Sequence, residues 1–93
     1  MKQQLDILLC EDDPNLGKLL RDFLDRKGYN TTWAQDGAEG VRQFRVGSYD
    51  FVLLDVMMPR MNGYEVCQKI REKFMPSELP VIMVTAKNQV QDL

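Results

Sequence analysis

No histidine occurs anywhere in the 93 residues, and there are only two cysteines and one tryptophan. The missing imidazole excludes a Ser-His-Asp or Cys-His nucleophilic site, a histidine-ligated metal and a histidine general base. Cys10 and Cys67 match no metal or redox spacing, so two free thiols in the reducing interior of a cell are expected. There is no basic excess either. The net charge is -2, which gives no global footprint for nucleic acid or an anionic membrane. No apolar run approaches membrane-spanning length, and Met1-Lys2-Gln3-Gln4 leads into a strand without the apolar stretch of a signal peptide. A cytoplasmic protein that binds neither membrane nor, in this piece, nucleic acid is therefore expected.

What is present is enough for one small domain. With 44% hydrophobic residues the core is modest. Strand, loop, helix and loop together take about 24 residues, so the chain holds a little under four such units. Its central stretch is Asp50 to Pro59. There a continuous apolar run, Phe51 to Leu54, ends on the carboxylate of Asp55, and Pro59 keeps the strand from continuing in register. Asp55 is thus placed at the exit of a buried strand, where an open parallel sheet forms its crevice.

The flanking segments repeat the pattern. Leu5 to Cys10 is a short apolar strand that ends on Glu11, Asp12 and Asp13. Asp13 and Pro14 mark a helix start, and Leu16, Leu19, Leu20, Phe23 and Leu24 recur on one helical face, closed by Lys27 and Gly28. Tyr29 to Ala34 is expected to be an edge strand because its middle is polar. Asp36 and Gly37 precede a short helix with the stripe Ala38, Val41 and Phe44. Asn62 with Glu65 predicts a third capped helix whose buried face is Val66, Cys67, Ile70 and Phe74, stopped by Pro76. Pro80 introduces the strand Val81 to Val84, which ends on Thr85-Ala86-Lys87, and Asn88 could begin a further helix. The order β-α-β-α-β-α-β predicts a parallel sheet with helices on both faces and right-handed crossovers.

In the strand order 2-1-3-4, three neighbouring strands end on polar groups: Glu11 and Asp12, then Asp55, then Thr85. Carboxylates crowded together repel unless a cation or a proton intervenes. Hard oxygen ligands of this type suit Mg²⁺, which takes one or two carboxylates and keeps waters and a phosphate oxygen. Asp55 could then attack phosphorus to form an aspartyl phosphate, with Glu11 and Asp12 holding the metal directly or through water. The Thr85 hydroxyl would donate to a phosphoryl oxygen.

These residues resemble a response-regulator receiver domain, the phospho-accepting module of two-component signalling. LLCEDDP matches its acidic pair, FVLLDVMMPRMNGYEV its phosphorylation site and loop, and VIMVTAK its fourth strand with the switch residue. The resemblance implies a flavodoxin-like three-layer α/β sandwich, with residues 1–93 forming a partial receiver domain through the fourth strand and the start of a fourth helix. It also implies that a sensor histidine kinase donates the phosphoryl group to Asp55 with Mg²⁺ as cofactor. Asp12 becomes a direct metal ligand, Glu11 a water-mediated one, and Asp55 and the Met57 backbone carbonyl further ones. Thr85 becomes the switch hydroxyl, and Ala86 the small residue that leaves the phosphate accessible.

Family members continue through a fifth strand bearing a lysine and through a fifth helix, neither of which this sequence contains. Lys87 follows the switch threonine too closely to replace that lysine. An apolar sheet edge is then expected, and with it a homo-oligomer or a domain-swapped assembly formed through that edge. The alternative reading is a switch-defective fragment serving only as an oligomerising or interaction module. A haloacid-dehalogenase phosphatase would need an Asp where Met57 stands, and a flavodoxin's phosphate would be repelled by the acids after the first strand. The chain is expected not to be an enzyme.

Overall fold

The computed structural model describes residues 4–84. Four parallel strands, β1 (Asp6–Cys10), β2 (Asn30–Ala34), β3 (Phe51–Asp55) and β4 (Val81–Val84), form one sheet in the order β2-β1-β3-β4. Three helices connect them: α1 (Pro14–Arg26), α2 (Gly37–Val46) and α3 (Gly63–Arg71). Leu8 of the central β1 faces Thr32 on one side and Val52 on the other, and Asp55 pairs with Val84. These pairings bring the carboxyl ends of β1, β3 and β4 side by side, as the alternating pattern predicts.

The helix starts follow from local chemistry. Asp13 caps α1 by accepting from the Asn15 and Leu16 N–H groups, and Pro14 occupies the first turn. Asp36 caps α2 through the Glu39 N–H. Asn62 and Glu65 form a reciprocal capping box on α3. After α1, Gly28 takes φ 96°, the left-handed conformation that glycine adopts at no steric cost.

Burial divides the molecule into three layers. One sheet face contributes Leu8, Cys10, Ala34, Val52 and Leu54, which pack with Val41 and Phe44 of α2 and Val66 and Ile70 of α3. On the other face α1 packs over β2 and β1. Its apolar stripe is only partly covered: Leu24 is buried, whereas Leu19 is 61% and Phe23 48% exposed. Gly17 of the same helix is buried against the Trp33 ring.

The third helix differs from expectation. It ends at Arg71 instead of continuing to Pro76, and Phe74 lies beyond it, 39% exposed. Two contacts hold the chain that follows it. Phe74 meets Phe44 edge-on with ring centroids 5.7 Å apart, and the Arg71 guanidinium donates to the Leu79 carbonyl at 2.8 Å. The helix expected to begin near Asn88 lies outside the described residues.

Candidate functional site

Two chain segments build the site. The turn after β1 carries Glu11 and Asp12, and β3 ends on Asp55. One carboxylate oxygen from each of these three residues lies within 4.8 Å of the others. Sequence reasoning placed them together, and the pairing of β1 with β3 is what does so. Glu11 and Asp55 are each only 1% exposed. Carboxylates so rarely buried require partners.

Those partners are identifiable. The Glu11 carboxylate accepts from the Asp13 N–H at 3.1 Å, and Asp55 Oδ1 accepts from the Met57 N–H at 3.1 Å. Burial pushes the Glu11 carboxyl up to about 7. The neighbouring carboxylates of Asp55 and Asp12 add to the rise, and the Asp13 N–H opposes it. Without a cation, the Glu11 carboxyl thus holds its proton well above the usual carboxylate range. Asp12 Oδ1 is buried and has no hydrogen-bond partner among the described residues. An orphaned carboxylate oxygen beside two buried carboxylates, with an all-oxygen donor set, fits a hard divalent cation.

The loop after Asp55 is held close to it. The first residue of α3, Gly63, donates its N–H to the Val56 carbonyl at 3.1 Å. A Cβ at this position would come within 2.6 Å of the Asp55 carbonyl oxygen, so only glycine permits this approach. Arg60 takes φ 67°, and across it the Met61 N–H donates to the Pro59 carbonyl at 2.7 Å, a tight turn in a strained backbone region. Of the loop methionines, Met58 is buried in the core, Met61 packs against it and Met57 is 46% exposed. Thr85 and Ala86 lie outside the described residues.

Sequence reasoning missed Gly63 and a contact behind the acidic turn. The Trp33 indole N–H donates to the Glu11 carbonyl at 3.0 Å. Its sequence signals are a glycine, Gly17, interrupting the apolar stripe of α1, and a lone tryptophan on the strand beside it. The Cys10 thiol lies next to the site in sequence but takes no part in it. Burial, with the Asp36 carboxylate adding, pushes it up to about 12.

Fold and site together define a parallel α/β module with a carboxylate cluster at the carboxyl end of its sheet, and comparison with known proteins gives its family. A model of the response regulator receiver domain matches residues 7–93, so the chain belongs to that family. Transcriptional regulatory protein RprY of Bacteroides fragilis is 43% identical over 93 residues, which is all of this chain but 39% of RprY. The chain thus spans about two fifths of that relative's length. Among solved structures, response regulator protein TrrA from Thermotoga maritima in complex with Mg(2+)-BeF is 35% identical, with a TM-score of 0.85 over 96% of this chain and 76% of that one. A structure of histidine kinase ThkA in complex with TrrA matches with 37% identity and a TM-score of 0.81, over 89% of this chain and 70% of that one.

Family membership corrects one expectation. The chain is not to be set down as a non-enzyme, because receiver domains accept phosphoryl groups and nothing in the matches excludes catalysis. The missing histidine rules out only imidazole-dependent chemistry, and a carboxylate nucleophile needs no imidazole. Among the described residues, no helix is long and apolar enough to cross a membrane.

Proposed function

We propose that residues 1–93 are part of a receiver domain that takes a phosphoryl group from a histidine kinase onto Asp55, in a reaction that requires Mg²⁺. The observation that carries the proposal is the meeting of the Glu11, Asp12 and Asp55 carboxylates within 4.8 Å. A carboxylate oxygen of Asp55 attacks phosphorus, the new O–P bond forms as the N–P bond to the donor imidazole breaks, and the electron pair leaves with that nitrogen. Bound among these carboxylates, Mg²⁺ supplies charge neutralisation for the phosphoryl oxygens.

This chain's own groups do the rest. Asp12 would hold the metal directly and Glu11 through water, with Asp55 and the Met57 carbonyl as further ligands. The Met57 N–H holds Asp55 Oδ1 and so orients the nucleophile. Thr85 donates its hydroxyl to a phosphoryl oxygen, and the small Ala86 leaves room for it. The TrrA structures, one with Mg(2+)-BeF and one with a histidine kinase, support both the metal and the partner. Free thiols at Cys10 and Cys67 support a cytoplasmic setting. Exposed Leu19, Phe23 and Ile82 support self-association through the α1 and β4 side of the sheet.

Intact mass after incubation with a small phosphodonor tests the central step. A gain of one phosphoryl group that requires Mg²⁺ and is absent in Asp55→Asn is expected. No gain in the folded protein, or a gain that survives the substitution, would overturn the assignment.

A further inference from the structure

The turn that carries Glu11 and Asp12 is braced from behind by a residue that belongs to neither carboxylate segment. Trp33 lies on β2 in register with Leu9, so its side chain projects to the α1 face. Its indole Nε1–H donates to the Glu11 carbonyl at 3.0 Å, while the Glu11 N–H donates to the Ala34 carbonyl at 3.0 Å. Both peptide groups of Glu11 are therefore tied to the end of β2. The carbonyl that the indole holds belongs to the peptide bond between Glu11 and Asp12. Fixing the plane of that bond fixes the direction in which both carboxylates leave the backbone.

The ring itself is seated on a helix. A Cβ at Gly17 would come within 2.1 Å of Trp33 Cζ2 and 2.5 Å of Nε1, so only the bare glycine lets the indole reach the turn. The Arg21 guanidinium lies over the ring, 5.5 Å from its centroid. The Asp13 side chain caps the same helix, and the Asp13 N–H donates to the Glu11 carboxylate. Strand, helix and acidic turn thus form one closed set of contacts with Trp33 at its centre.

We infer that Trp33 is a positioning residue for the metal site, its indole N–H locking the Glu11–Asp12 peptide and Gly17 providing the seat that lets it do so. The inference rests on the reading of Glu11 and Asp12 as metal-holding residues. Groups that orient ligands from behind commonly change metal affinity by about 10–100-fold when removed. A single neutral donor acting on the backbone belongs at the lower end of that range.

The test is Mg²⁺ titration by calorimetry on the whole chain. Trp33→Phe keeps a ring over Gly17 and removes the donor, and it is expected to weaken Mg²⁺ binding by about tenfold. Gly17→Ala, which pushes the ring off its seat, should weaken it in the same direction. Leu24→Ala removes packing from the same helix without touching the turn and should leave the affinity within about twofold of the wild type. In the unsubstituted protein the sole indole N–H resonance should shift on Mg²⁺ addition with the midpoint that calorimetry gives.

Unchanged affinity in folded Trp33→Phe, an equal loss in Leu24→Ala or an indole resonance that ignores Mg²⁺ would each overturn the inference while leaving the metal site standing. Failure of the wild type to bind Mg²⁺ would instead remove the metal site, and the inference with it. If Trp33→Phe does not fold, Gly17→Ala and the wild-type resonance still decide.

Discussion

Glu11 combines 1% exposure with two neighbouring carboxylates, and its proton is the cheapest available substitute for a cation. Folded Glu11 keeps that proton up to about pH 7, whereas an unperturbed carboxyl of this type loses it at 4.5. Between those values the native state binds more protons than the unfolded chain. This group's contribution to stability therefore falls as pH rises through the window and is level above about 7. Glu11→Gln keeps the shape of the neutral form, so its urea midpoint in metal-free buffer should gain on that of the wild type as pH rises from 4.5 to 7. Saturating Mg²⁺ should remove the wild-type slope. Parallel pH profiles for the two proteins would show that Glu11 is ionised throughout.

At the scale of elements, two glycines separate local backbone strain from support of the site. Gly28 has φ 96° and open space around it, so Gly28→Ala costs about 1 kcal/mol through the backbone alone. Gly63 opens α3 against the Asp55 carbonyl, and Gly63→Ala must displace backbone, at a cost of roughly 1–3 kcal/mol. Both variants should melt at lower temperature, but only Gly63→Ala should also slow phosphorylation of Asp55 by the small donor, read by intact mass over time. Equal phosphorylation rates would show that α3 does not steer the nucleophile.

The same contrast explains what the sequence makes legible. Caps at Asp13, Asp36 and Asn62 and the apolar runs of the four strands are short-range signals, and they mark the elements and their order correctly. The acidic cluster follows from that order. The seating of Trp33 on Gly17 and the contact of Phe74 with Phe44 join distant residues, and no periodicity encodes them.

Among the described residues, helices α2 and α3 cover one sheet face and α1 packs on the other. The row Trp33, Leu9, Leu53 and Ile82 runs across four strands in register, and α1 covers its β2 and β1 end. At the far end Ile82 is 48% exposed, on the same face as Phe23 and Leu19 of α1. Self-association through this face predicts a concentration-dependent mass by light scattering, and Leu19→Glu with Phe23→Glu should shift it toward monomer while leaving phosphorylation intact. A monomer at every concentration would exclude it.

The pairing of β1 with β3 has a further consequence, in folding kinetics. The hydrogen bond from the Asp6 N–H to Asp50 Oδ2, at the other end of the same two strands, already joins residues 44 apart in sequence. Closing so long a loop is an entropic cost met before its contacts form. The site is therefore a product of long-range closure, absent from every partly folded chain in which β3 has yet to dock. A cation held there would bind the native state and not the open chain, so it would act as a latch on unfolding and slow escape from the folded basin to the extent that docking completes after the barrier.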